Sequence, residues 1–351
     1  VEVPVTEKVI RKAAASGTNY LTVTVFDQGK ETKYNTNAAF TKTVHYLHAG
    51  WYEANNFLGQ TFDKSTIKSI TFVDNNNVPN DAVGSMDVSD EGNGSIMAWY
   101  YKANNYTEDN KLYDFFIGSS NGIVYSGPDS SRIFMGLTNM VEVDLTYLDT
   151  SNATTFFAMF YHCESLKKVD LFSFNTSNVT NMWAMFQHCY SLKKLDLSNF
   201  NTSKVTNMNY MFYQCYAIES INLSSFNTSK VISMYGVFSY CKNLTELNIS
   251  TFDTLNVTTM RDMFYDCEKL TSLNLSGFNT SKVTNMQEMF SNSTNLNKLN
   301  IKNFDFTNVT NNTDFLRNVP TNIEITVGNT TAKEWLNTNF SNYTNIIIEN
   351  K

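Results

Sequence analysis

Proline and glycine are scarce: 4 and 14 in 351 residues, which excludes a collagenous or proline-rich chain. No apolar run approaches the roughly 20 residues that cross a bilayer as a helix. A basic excess is missing as well. Lys plus Arg is 26 against 33 for Asp plus Glu, a net charge of −7, which argues against a general binder of nucleic acid or anionic membrane. Charged residues are only 17%, and polarity comes instead from Asn, Thr and Ser; asparagine alone is about an eighth of the chain. With 42% hydrophobic and 14% aromatic residues, the chain can bury a sizeable core. It opens at Val1 with no charged start and apolar stretch, so it reads as a piece of something longer, with any signal or anchor outside it.

The cysteines show the organisation. They are Cys163, Cys189, Cys215, Cys241 and Cys267, each 26 residues after the last. Six apolar-Phe pairs keep that step, from Met159-Phe160 to Met289-Phe290, and so do six phenylalanines from Phe174 to Phe304. One unit reads Leu192-x-x-Leu195-x-Leu197-x-x-Phe200-Asn201-Thr202-Ser203-x-Val205-Thr206-Asn207-Met208-x-x-Met211-Phe212-x-x-Cys215. Leu195 and Leu197 alternate as in a strand. Met208, Met211, Phe212 and Cys215 fall at i, i+3, i+4 and i+7, which predicts a helix of about two turns capped by Thr206 or Asn207. Neither half buries its apolar side chains alone, but stacked copies do. Seven strand copies are expected, beginning at Val143, Val169, Leu195, Ile221, Leu247, Leu273 and Leu299.

These patterns predict an α/β solenoid with a parallel sheet on its concave face and short helices on its convex face. Residues 1–126 lack the period and read as a strand-rich N-terminal unit, with strands around Leu21–Val25, 65–73 and 96–101. Residues 127–312 carry the repeats. Residues 313–351 form a C-terminal cap reading strand (Ile323 to Val327), helix (Ala332 to Leu336), strand (Ile346 to Ile348).

Leu192-x-x-Leu195-x-Leu197 is the strand signature of leucine-rich repeats, with Phe200 where Asn usually follows. The stretch Phe-Asn-Thr-Ser-x-Val-Thr-Asn-Met-x-x-Met-Phe-x-x-Cys-x-x-Leu resembles the BspA-like leucine-rich-repeat surface proteins of Mycoplasma and low-GC Gram-positive bacteria, over about half the chain. The resemblance implies a right-handed superhelix, a secreted or wall-attached location, adhesion to host or microbial proteins, and no catalytic residues.

Side chains between the two strand apolars point away from the core: Asp144, Asp170, Asp196, Asn222, Asn248, Asn274 and Asn300. A ladder of hydrogen bonds along the sheet is one expectation for this column. The other is a binding face, because stacked carboxylates about 5 Å apart repel. Lys168 and Lys194 are placed to offset that repulsion, and a basic ligand or a bound Ca²⁺ would relieve it too. A second candidate is the run of aromatics expected on the exposed helix faces: Phe157, Tyr161, Trp183, Tyr190, Tyr213 and Tyr235. These rings suit either packing between coils or contact with a protein or sugar. The cysteines are expected as a buried column of free thiols, since equivalent side chains on adjacent coils point in parallel. His162-Cys163 and His188-Cys189 do not converge as metal ligands or as a nucleophile pair. No Walker loop, Gly-x-Ser-x-Gly or His-Glu-x-x-His occurs. The expectation is a non-enzymatic adhesin with no cofactor; glycan or mucin binding and a passive stalk are the alternatives.

Overall fold

Alternating Thr and apolar residues around Leu21–Val25 favour extended backbone. In the computed structural model, which describes residues 17–27, 30–42, 46–47 and 62–349, strand β1 (Gly17–Asp27) pairs antiparallel with β2 (Lys30–Lys42). Next come β3 (Ile67–Val73), β4 (Gly84–Asp87), β5 (Ile96–Lys102) and β6 (Tyr113–Ser119). After β7 (Val124–Tyr125), the strand β8 (Glu142–Asp144) belongs to the first coil of the array, and β9 (Leu148–Asp149) pairs parallel with β7. The order β4-β5-β6-β3-β8 makes one five-stranded sheet, parallel on the side where β3 meets β8. Hydrogen bonding therefore runs without a break from the residues before 126 into the first coil. Ile70, Phe72, Phe115 and Ile117 are buried in the same core as the coils, and Phe72 meets Phe134 edge-on at 6.2 Å.

The 26-residue step is the spacing between stacked coils. β10 (Lys194–Asp196) and β11 (Ser220–Asn222) pair parallel with Leu195 opposite Ile221. β12 (Ser272–Asn274) and β13 (Lys298–Asn300) pair likewise, Leu273 opposite Leu299. Of the seven expected strand copies, those at Val169 and Leu247 do not form. Both residues are only half-buried, and their coils are tied to the preceding one by long bonds, Lys167 N–H to Val141 at 3.2 Å and Thr245 N–H to Glu219 at 3.3 Å. Where strands do pair, the corresponding bonds are 2.8 Å, as from Glu219 N–H to Lys193 and from Asn297 N–H to Thr271.

The convex side differs from expectation more deeply. Met208, Met211, Phe212 and Cys215 are buried as their spacing predicts, yet no helix forms there. Tyr210, Phe212 and Gln214 donate their N–H groups to Tyr235, Val237 and Ser239 of the next coil at 2.9–3.0 Å. The intervening Met211, Tyr213 and Cys215 donate three residues back, each at 3.1 Å. The result is a run of tight turns stacked coil on coil. Tyr210 and Gln214 have φ of 58° and 59°, and the same two positions are left-handed in coil after coil, as at Ala158 and His162 or Ala184 and His188. A left-handed residue with a Cβ costs about 1–2 kcal/mol, and the bonds to the neighbouring coil hold it in place.

The cap forms as its sequence predicts. β14 (Glu324–Val327) continues the ladder from β13, helix α1 (Thr330–Asn339) is capped by Asn329 accepting from Ala332 N–H at 2.8 Å, and β15 (Ile346–Ile348) closes the sheet. Trp335 of α1 stacks on Phe306 with ring centroids 4.0 Å apart, covering the end of the core. The described chain is thus strand-rich and nearly helix-free, with parallel sheets, and no helix in it is long and apolar enough to cross a membrane.

Candidate functional site

The Asp/Asn column lies exposed on the sheet face, apart from half-buried Asn300. Its side chains bond mainly within their own coils rather than in a ladder along the sheet, Asn222 with Asp196 being a contact between coils. Each turns back within its own coil and accepts the N–H two residues on: Asp144 from Thr146 (3.0 Å), Asp170 from Phe172 (2.9 Å), Asp196 from Ser198 (2.9 Å), Asn222 from Ser224 (3.2 Å) and Asn248 from Ser250 (3.2 Å). Asn274 and Asn300 do the same with Ser276 and Lys302. This is the Asx turn, in which a short side chain supplies the acceptor that ends the strand. Asp and Asn serve equally, because one side-chain oxygen is all the turn uses. The bonds from Ser198, with a smaller contribution from Asn222, hold the Asp196 carboxyl below the usual range. Among the described residues no ion pair joins the exposed Lys168 or Lys194 to Asp170 or Asp196; the expected offset is not made by contact.

Sequence reasoning overlooked Phe172. It is 81% exposed and stands on this face, and among the described residues no aromatic ring or cation packs on it. Two open grooves meet at it. One, about 820 Å³, is lined among others by Asp170, Lys194, Asp196, Asn222 and Glu246; the other, about 760 Å³, by Thr71, Glu142, Asp144, Lys168 and Asp170. The signal was available in the alignment of units. The equivalents of Phe172 are Thr146, Ser198, Ser224, Ser250, Ser276 and, in the last coil, Lys302, so a lone aromatic stands in a column of hydroxyls that ends in a lysine.

The convex aromatics are not the open surface their spacing suggests. All six candidates are half-buried, because the left-handed turns lay neighbouring rings against one another. Phe157 stacks on Trp183 (4.8 Å, 11°), Trp183 meets Tyr210 edge-on (6.0 Å), and Tyr210 packs on Tyr235 (4.5 Å). Guanidinium groups close both ends: Arg132 lies 4.5 Å from the Phe157 ring centre and Arg261 5.2 Å from that of Tyr235. Beside this ribbon, Tyr161 and Tyr213 pack edge-on against His188, which stacks on His162 at 4.1 Å, and Tyr190 stacks on Tyr216 at 5.0 Å. His162 and His188 are therefore half-buried. Burial and the neighbouring His162 lower the pKa of His188.

Two further columns join the coils from inside. All five cysteines are free and buried, and each thiol points at a carbonyl 29 residues back, as Cys215 Sγ does at Phe186 (3.1 Å). Burial pushes the Cys215 thiol up to about 12, so these groups stay protonated. At the position where the series ends, Ser293 makes the same bond to Phe264 at 2.9 Å. Buried threonines form the other column. Thr202 Oγ1 donates to Asn227 O (2.9 Å) and accepts from Asn227 N–H (2.8 Å), and Thr176, Thr254 and Thr280 repeat the pair. Among the described residues no three His, Cys, Asp or Glu side chains are grouped to hold a metal ion.

No curated protein matches the chain. A solved structure, described as the crystal structure of pneumococcal vaccine antigen PcpA, aligns over 94% of this chain and 96% of that one at 12% identity, with a TM-score of 0.24. Residues 129–245 and 216–327 match a family described as "Mycoplasma protein of unknown function, DUF285". Together these matches take in the stacked coils and β14, more than half of the 351 residues, and the chain belongs to that family.

Proposed function

We propose that the chain is a bacterial cell-surface adhesin that binds a host or microbial protein across its concave face, without catalysis and without a cofactor. In this reading the array is a right-handed leucine-rich-repeat solenoid of the BspA-like type. Residues 1–126 and 313–351 serve as its end caps. Phe172 is the observation that carries the reading: a large ring left in water between two grooves, at a position that five other coils fill with a hydroxyl and the last with Lys302. Exposed aromatics among polar rims mark contact surfaces for macromolecules. The surrounding Asp144, Asp170 and Asp196 give the face a sign, which sets partner choice and association rate.

The glycan alternative needs open rings on the convex side, and there the rings and two guanidiniums already cover one another. The deciding experiment presents purified 1–351 to immobilised matrix proteins, mucins and glycans, beside the Asp170→Lys/Asp196→Lys and Trp183→Ala variants. The expected result is a protein partner lost in the double acidic variant, retained in Trp183→Ala, and weakened as salt rises. A sugar-competed partner lost only with Trp183 would move the site to the convex side. Silence across the panel would favour a passive stalk.

A further inference from the structure

We infer that Phe172 is a receptor for guanidinium groups, so that the partner engages the concave face through an arginine-bearing extended segment. This inference rests on the concave-face reading above and narrows it to one partner chemistry.

The first ground is the chain's own treatment of surface rings. Where the convex ribbon ends in an aromatic, an arginine covers it, Arg132 on Phe157 and Arg261 on Tyr235. Phe172 is more exposed than either of these rings, and no described residue covers it in this way. A guanidinium is flat and weakly hydrated, and stacks on an aromatic face while its edge stays free to bond.

The second ground is what surrounds the ring. Asp170 accepts the backbone N–H of Phe172 through Oδ1, which fixes its carboxylate two residues from the ring with acceptor capacity to spare. Asp196 lines the adjoining groove and is held ionised. Together the two grooves present Glu142, Asp144, Asp170, Asp196 and Glu246 against Lys168 and Lys194, a net negative face. A carboxylate beside an aromatic face distinguishes arginine from lysine. The fork of N–H donors pairs with the carboxylate while the plane stacks, whereas an ammonium makes one compact charge contact. The third ground is extent. The grooves lie on either side of Phe172 and span several coils, which suits an extended segment rather than a single residue.

The test uses two fluorescent peptides of equal length and charge, an octa-arginine and an octa-lysine, titrated against the full chain by anisotropy at fixed ionic strength. The wild-type chain is expected to prefer the arginine peptide by about tenfold. Phe172→Ser should abolish that preference while leaving the shared, salt-sensitive affinity. Serine occupies the same position in four other coils, so this variant keeps the fold. Asp170→Asn/Asp196→Asn should weaken both peptides. Equal affinity for the two peptides, or a preference that survives Phe172→Ser, would overturn the inference. The panel partner separates this from the broader reading. A protein lost in the Asp170→Lys/Asp196→Lys variant but bound unchanged by Phe172→Ser would leave the concave face standing and sink the guanidinium site. A partner indifferent to both variants would remove the concave face itself.

Discussion

Thr202 is fully buried, and its hydroxyl both donates to and accepts from the backbone of Asn227 in the next coil. Valine has nearly the same shape and can do neither. Thr202→Val therefore strands a carbonyl and an N–H inside the protein, and we expect it to lower stability by about 2–4 kcal/mol, read from urea denaturation. Cys215→Ser should cost much less, because Ser293 already makes the equivalent bond. Asp262 provides a pH-dependent case. Burial first, then the charge of Glu288 and a hydrogen bond with it, push its carboxyl up to about 6 against the pull of Arg261. The unfolded value is about 3.9, so the native state holds the extra proton between these limits. Its stabilising effect is complete below about pH 4 and is lost as pH rises through 6. Asp262→Asn should flatten that dependence and raise stability at pH 7 by about 1–2 kcal/mol, the more so because asparagine tolerates the left-handed backbone found there (φ 53°). Denaturation of both proteins from pH 4 to 8 decides it: parallel curves would show that Asp262 does not titrate in this window.

Within one coil, the turns and the side chains over them fit as a unit. Gly236 has φ 60°, and a Cβ there would meet the Tyr210 ring at 2.8 Å, whereas Ala184 fills the equivalent position at φ 53° with Ala158, not a ring, one coil before it. Gly236→Ala should thus cost about 1–3 kcal/mol in the wild type and distinctly less beside Tyr210→Ala; additive losses would refute the contact. This level also shows what could be read from sequence. The coils, their buried columns and the β14–α1–β15 cap were legible because apolar spacing reports which side chains face inward. The convex helix was misread for the same reason. Turns of three and four residues bring Met208, Met211, Phe212 and Cys215 inward just as a helix would. What differs is where the N–H groups of Tyr210, Phe212 and Gln214 go, and that depends on the next coil rather than on local spacing. The Asx turns were visible only as asparagine content, since a turn oxygen and a ladder oxygen look alike in sequence. Phe172 stood out in its column, but its meaning required knowing that the column faces water.

Across the whole molecule, one core runs from Phe72 and Phe115 before the coils to Tyr343 and Ile346 in the cap. Ends are its weak points, because an end coil has a neighbour on one side only. Removing residues 320–351 would uncover Leu299, Phe306 and Phe315, all now buried. We expect that truncation to bind a hydrophobic dye and to aggregate on size-exclusion chromatography at concentrations where the intact chain elutes as one species. A well-behaved truncated monomer would show that the cap is dispensable.

The threonine hydroxyls, the cysteine thiols and the alternate N–H groups all address the adjacent coil and no other, at offsets fixed by the 26-residue unit. A unit spliced in or out between two coils therefore presents every donor and acceptor in the place where the old neighbour had them. Recombination between units can lengthen or shorten the array without redesigning either cap, while a single misplaced residue would break all three columns at once. Under the concave-face proposal, that makes length and face independently variable: the reach of the array can change while the coil that carries Phe172 stays as it is.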